Sequence, residues 1–307
     1  DFGRACHGSA GGVTTALHIA FGAAGPRIVP PTAVPVEAVL LNRKVEEAAL
    51  LLPRIFGLCR AAQSLGARAA LGLPVRPEDR AALADEILRE HLMRFFVFWP
   101  RRLGLPSTPL PSQGRMAEAV FGPVARCPGP GALDDWLASG AGVAPVLAAI
   151  AVRFGPGEAV ANLPAATADS LASGTAQENS PWLRHRDSSL LAGIAARFGR
   201  GPLWRAAGRL VDLEACLTGR LAPEADSRPG PVLVPTARGI CALSARVREG
   251  RVSSFRRWTP TDHLLARGGV LERALASLPR ARVELAPLVV DIIDPCLPVH
   301  FEEAADA

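Results

Sequence analysis

Tyrosine is absent from this chain, methionine occurs twice, and aromatic residues make up only 5% of it. The few aromatics are not interleaved with basic residues, so a stacking platform for single-stranded nucleic acid is not expected. The net charge of +5 and pI near 9.2 come from scattered arginines, many beside acids, and read as solvated faces. No C-x-x-C occurs among the six cysteines (6, 59, 127, 216, 241 and 296), which excludes a zinc ribbon and argues against a disulfide framework. The longest apolar runs, such as 144–152, are too short to span a bilayer. No charged-then-apolar leader opens the chain, and the expectation is a reducing, cytoplasmic setting without membrane contact. Neither a P-loop nor a G-x-G-x-x-G after a strand is present, and no nucleophile motif stands out.

What remains is a chain of 307 residues, 49% hydrophobic with mean hydropathy +0.20, enough for a substantial core. Residues 1–35 are rich in Gly and Pro and read as irregular, with a short helix around 13–21. Apolar periodicity predicts helices over 36–52, 60–73 and from Pro77 to a stop at Pro100. Shorter helices are expected at 115–124, 133–138 and 146–154. Residues 158–179 read as an exposed loop or short irregular helices. Helices follow at 188–198 and 202–217. From Pro231 the pattern changes to period two, with strands at 232–234, 239–248 and 251–258 and a hairpin turn at Glu249-Gly250. Thr259–Asp262 is a turn, 270–278 a helix, and 282–293 a strand-like run. The fold class is therefore α+β, mostly helical, with a C-terminal β-hairpin. A single domain over 36–300 would lie between the N-terminal segment 1–35 and a tail, 301–307.

One stretch, 53–71, organises the chain. Pro53 and Gly57 break the backbone, Cys59 follows, and a helix of small residues begins. A cysteine at a helix N-terminus is biased toward the thiolate, the nucleophilic and metal-binding form. Cys296 lies near the other end, in Asp291-Ile-Ile-Asp-Pro-Cys-Leu-Pro-Val-His300, and the two stretches are expected to meet. The other four cysteines read as buried small hydrophobes. Cys6 and His7 near the terminus, and His91 at a surface or partly buried position, read as structural. His300 reads as a tail residue, with a third-ligand role as the sharper alternative.

Arg54-Ile-Phe-Gly-Leu-Cys-Arg-Ala-Ala-Gln-Ser resembles the R-I-C-G-V-C-x-x-x-H-S motif of nickel–iron hydrogenase large subunits. Three further stretches resemble that family in order. Pro235-Thr-Ala-Arg-Gly239 is similar to its E-x-P-R-G segment. Trp258-Thr-Pro-Thr-Asp-His263 is similar to the segment after its hairpin, and Asp294-Pro-Cys296 to its D-P-C-x-x-C-x-x-H ending. The departures are equally specific: Phe56 stands for the first cysteine of the motif, Gln63 for its histidine, and the last cysteine is missing.

The family's enzymes hold nickel and iron with four thiolates. By resemblance, Cys59 matches a ligand shared by both metals and Cys296 a terminal nickel ligand, while Arg238 matches an arginine beside the iron's diatomic ligands. Two cysteines and a phenylalanine cannot rebuild the nickel site, so no nickel is expected. Iron carrying cyanide and carbon monoxide needs fewer protein ligands. The pattern is similar to that of large-subunit paralogues of the HupK/HoxV type. It implies a non-enzymatic scaffold that transiently holds Fe(CN)2CO through Cys59 and Cys296, with Arg238 toward the cyanides. Asp294 and Pro295 would shape the turn, and the implied partners are maturation chaperones and the hydrogenase large subunit, not nucleic acid. The alternatives are a divergent hydrogenase using fewer thiolates and a metal-free mimic that binds the chaperones.

Overall fold

The computed structural model describes residues 16–32, 36–221, 225 and 230–302. The Cys6–His7 pair, the start of the expected first helix and the last tail residues lie outside them. Two compact units result, Pro35–Cys296 and a smaller one formed by Asp1–Val34 with Leu297–Ala307.

In the smaller unit, strands β1 (Leu17–Gly22) and β2 (Gly25–Val29) pair antiparallel, and β6 (Val299–Phe301) adds parallel to β1. The segment expected to be irregular or helical is thus a hairpin. Leu17 and Ile19 alternate into the buried face, a period-two signal that the surrounding glycines obscure. His300 and Phe301 belong to this sheet rather than to a loose tail.

The larger unit is mostly helical. Its elements run α1 (Val36–Leu40), α2 (Val45–Ile55), α3 (Arg60–Ala70), α4 (Pro77–Met93), α5 (Trp99–Leu103), α6 (Met116–Phe121), α7 (Leu133–Ala138), α8 (Ala144–Arg153), α9 (Ser189–Phe198) and α10 (Pro202–Leu217). Strands β3 (Val232–Thr236), β4 (Gly239–Arg248) and β5 (Arg251–Trp258) form an antiparallel meander. Helices α11 (Pro260–Leu265), α12 (Val270–Ala276) and α13 (Ala286–Ile293) follow. The α+β class holds, and the hairpin β4–β5 lies where its alternation placed it. No helix among the described residues is long and apolar enough to cross a membrane.

Several local expectations are overturned by tertiary contacts. The first predicted helix breaks at 41–44 because those residues pair with the meander: Asn42 N donates to Val252 O and Val252 N to Arg43 O. It then continues past Pro53 to Ile55, a proline in its last turn. Pro100 does not end its helix either. A π-helical turn, Arg94–Phe98, precedes it, and Phe96 O accepts from Thr108 N, so a carbonyl in the proline's neighbourhood is satisfied from outside the helix. Residues 158–179 carry the short 3-10 helix Ser170–Ala172, the second of the two alternatives expected, and are not an exposed loop, since Ala159, Leu163, Gln177, Glu178 and Asn179 are all buried. Thr259–Asp262 caps α11 with a reciprocal Thr259–Asp262 box instead of forming a free turn. The strand-like run 282–293 ends in helix α13, whose apolar residues are buried on nearly every side.

The core that carries the site lies where α2, α3 and α4 cover the meander. Leu52, Leu65, Leu83, Ile87, Val234 and Leu243 are completely buried there, each contributing about 1.5–3 kcal/mol. Gly66 lets α3 approach the sheet, because a Cβ there would stand 2.7 Å from Leu243 Cδ1. That close approach sets the start of α3, and with it Cys59, beside the β3–β4 turn.

Candidate metal-binding site

Cys59 is the residue before α3 and adopts a left-handed backbone, φ 54° and ψ 41°. Its carbonyl accepts from Gln63 N, while the free amides of Ala61 and Ala62 donate to Glu86. That carboxylate supplies the cap that a side chain at the helix entrance would otherwise give. Cys296 follows α13 and the buried Asp294-Pro295 corner, and its amide donates to Thr261 Oγ1 at 3.0 Å. The two thiols, 237 positions apart in sequence, hydrogen-bond to each other.

The contact splits their acidities. The Cys59 thiol donates to Cys296 and, helped by Arg238, brings Cys296 down to about 7 against the opposing effect of burial. The same hydrogen bond, burial and the neighbouring thiolate push Cys59 well up. The contact thus makes Cys296 the more acidic thiol of the pair. Cys241 on β4 belongs to the same core cluster, and burial pushes its thiol up to about 12. It packs as the small hydrophobe its strand position suggested, although its proximity to the pair had no signal in spacing.

Arg238 occupies the tip of the β3–β4 turn and is 4% exposed. Its Nη1 donates to Cys59 Sγ at 3.4 Å and its Nη2 to Glu90 Oε2 at 3.0 Å and Asp294 Oδ1 at 3.2 Å. Its Nε lies 3.0 Å from Asp294 Oδ2 without the alignment of a hydrogen bond. Asp294 also takes Arg94 Nη2 at 2.6 Å and Arg209 Nη2 at 2.8 Å. Three guanidiniums thus converge on one buried carboxylate. Burial pulls Arg209 down to about 10, partly offset by Asp294. Arg205, Arg209 and Arg238 also border a cavity of about 20 Å³, room for a single water.

The turn itself is held from below. Arg184 donates to Thr236 O and Gly239 O, both at 3.0 Å, and Arg209 Nη1 to Ala237 O at 2.9 Å. Gly239 has φ +145°, and a Cβ there would lie 2.5 Å from Asn179 O, so glycine is required. Arg184 is fixed in turn by Asp212, whose Oδ1 also meets His185 Nε2 at 2.7 Å and whose Oδ2 meets His91 Nε2 at 2.7 Å. His91 is fully buried, contrary to the partly exposed position expected, because α4 turns it toward α10 rather than to solvent.

The positions where the sequence departs from the hydrogenase motif also have a physical account. Phe56 packs against the cysteine-bearing cluster, and the Arg257 guanidinium covers its ring at 3.7 Å from the centroid. Gln63, one helical turn beyond Cys59, is buried with Oε1 unpartnered in the protein. Among the described residues no group of three His, Cys, Asp or Glu is arranged to hold a metal. The donor set is two sulfurs, with a guanidinium beside them. The structure thus brings Cys59, Cys296, Arg238, Asp294 and Pro295 into one neighbourhood.

Comparison with solved structures gives the class. The chain has the nickel–iron hydrogenase large-subunit fold. It superposes on an NAD+-reducing [NiFe]-hydrogenase with TM-score 0.51 and 16% identity, covering 89% of this chain and 92% of that one. The Ni-Fe-Se hydrogenase of D. vulgaris Hildenborough gives TM-score 0.53 at 15% identity, covering 89% and 93%. No family model matches the sequence. At the level of sequence the chain is 49% identical over 286 residues to the hydrogenase expression/formation protein HupK of Rhodobacter capsulatus, spanning 91% of this chain and 94% of HupK, and it belongs to the HupK family. A shorter stretch of 82 residues is 42% identical to the hydrogenase expression/formation protein HoxV of Cupriavidus necator, covering 25% of this chain and 21% of HoxV.

Proposed function

We propose that this chain acts in hydrogenase maturation as a non-enzymatic scaffold. It transiently holds the Fe(CN)2CO group through Cys59 and Cys296 and passes it to the nickel–iron hydrogenase large subunit. The observation that carries the proposal is that Cys59 and the partly buried Cys296, distant in sequence, meet with Arg238 Nη1 on the Cys59 sulfur.

The donor set fits an iron that brings strong-field ligands of its own and asks the protein for two soft ones. Cys296 is the more acidic thiol of the pair, and Cys59 releases its proton when the metal is captured. Iron(II) with two cyanides has no net charge, so two thiolate ligands make the complex a dianion. The Arg238 guanidinium offsets part of that charge, and its N–H groups suit cyanide nitrogens as acceptors. Phe56 under Arg257 fills the position where a further thiolate would be needed for nickel. A site with so few ligands also favours release, as a donor in a relay requires. The partners this reading implies are the maturation chaperones that deliver the group and the large subunit that receives it.

The test is infrared spectroscopy of protein purified without oxygen after co-production with the maturation machinery. Metal-bound CO and CN bands with iron and no stoichiometric nickel are expected, and loss of the bands in Cys59→Ser. Protein free of iron and bands, from cells whose large subunit matures normally, would overturn the proposal. Hydrogen-dependent dye reduction by nickel-containing protein would favour a divergent hydrogenase instead.

A further inference from the structure

In the smaller unit, β1 and β6 run parallel with His18 directly opposite His300. Directly paired residues share a face of a sheet, and the two imidazoles stand with ring centroids 5.6 Å apart, tilted by 38°. The opposite face is the buried one, carrying Leu17 and Ile19, so the histidines lie on the side that solvent reaches. His18 is half-buried and His300 exposed.

A third group orients the first imidazole. Glu302 Oε1 lies 3.3 Å from His18 Nδ1, and Glu302 N donates to Ile19 O at 2.9 Å, which fixes the glutamate at the strand end. A carboxylate facing Nδ1 favours the proton on that nitrogen and leaves the Nε2 lone pair free. Histidines that bind metals are commonly arranged this way. The other carboxylate oxygen takes Arg27 Nη2 at 2.7 Å, so the nearby guanidinium is neutralised on this face.

We propose that His18 and His300 form a two-imidazole site for a borderline divalent ion such as Ni2+ or Zn2+, with Glu302 as the positioning residue of His18. Neutral imidazole suits these ions, whereas Mg2+ and Ca2+ prefer oxygen ligands. A bound ion would take each Nε2 at the usual Zn–N distance of about 2.0–2.1 Å. Water completes the coordination on the open side. Bound metal would clip the short strand β6 to β1, three residues along the chain from Cys296. This site is independent of the iron-scaffold reading.

The experiment is calorimetric titration of the reduced full chain with NiCl2, together with ring-nitrogen NMR of its histidines. Wild type is expected to bind one equivalent at this site with selective broadening of two imidazoles. His18→Ala and His300→Ala should each weaken it by more than about tenfold, and Glu302→Gln by about tenfold. Cys59→Ser should leave this binding unchanged, which separates it from any metal taken by the thiols. Wild-type nickel affinity in both histidine variants, or titration without broadening of two imidazoles, would overturn the proposal.

Discussion

Two buried carboxylates, Asp212 and Asp294, are both tied by arginines to the Thr236–Gly239 turn and are treated very differently. Asp212 is matched. One arginine grips both its oxygens, His185 and His91 take the remaining positions, and Arg184 spends its other N–H groups on the turn's carbonyls. Asp294 is surrounded by more donors than it can use. Arg94, Arg209 and Arg238 all converge on it, and the surplus from Arg238 goes to Glu90 and to a cysteine sulfur. A saturated network specifies a conformation. A network with guanidinium N–H donors to spare is suited to an acceptor that arrives later. The Thr236–Gly239 turn, tied to both, transmits the rigidity of the first to the side chain that serves the second.

Breaking the saturated side should have the largest effect. Asp212→Asn leaves Arg184 without its charge partner and is expected to cost about 3–5 kcal/mol, read by denaturant unfolding. A loss under about 1 kcal/mol would show that the network is dispensable. Burial alone would raise Asp212, but Arg184 and the two histidines outweigh it and hold the carboxyl well below its usual range. Because its folded pKa is depressed, its contribution is present above the ordinary carboxylate pKa of about 3.9 and is lost as pH falls through the folded value. Wild type should therefore keep this increment at mildly acid pH, and the variant should lack that acid dependence.

Gly239→Ala attacks the joint between the two sides. A left-handed backbone and a Cβ 2.5 Å from Asn179 O should destabilise by about 1–3 kcal/mol or more, visible as a lower Tm. Arg238→Met tests the unsaturated side by its chemistry. Alkylation of Cys296 by a small reagent should have its midpoint near pH 7 in wild type, and should move up when the cation is removed. Asp294→Asn should move it the opposite way, because that carboxylate opposes the thiolate. Shifts of the same sign in both variants would contradict the electrostatic account. The smallest effect belongs to Phe56→Leu, which keeps apolar volume but loses about 0.5–1 kcal/mol of cation–π contact with Arg257.

These contrasts also explain what could be read from residues alone. Strand β3 alternates cleanly, its Val232, Val234 and Thr236 being the buried residues, and α10 was visible between its Gly-Pro start and its apolar end. Helix α13 was mistaken for a strand because Leu288–Ile293 is rich in β-branched residues and buried nearly all round, which removes the helical period. The site's cysteines, Arg238 and the Asp294-Pro295 corner carried a motif signal. The partners that hold them did not. Arg94 meets Asp294 from 200 positions away and His91 meets Asp212 from 121, and no local spacing encodes such pairings.

Cys59 and Asp294 share one further property: both are non-glycine residues with left-handed backbones, at φ 54° and 62°. Glycine would occupy either position with about 1 kcal/mol less backbone strain. Cys59→Gly should consequently unfold no more easily than wild type, apart from the loss of a small buried side chain, while removing one thiol of the proposed pair. The backbone at this turn therefore gives no preference for cysteine, and whatever distinguishes Cys59 from glycine there resides in its side chain.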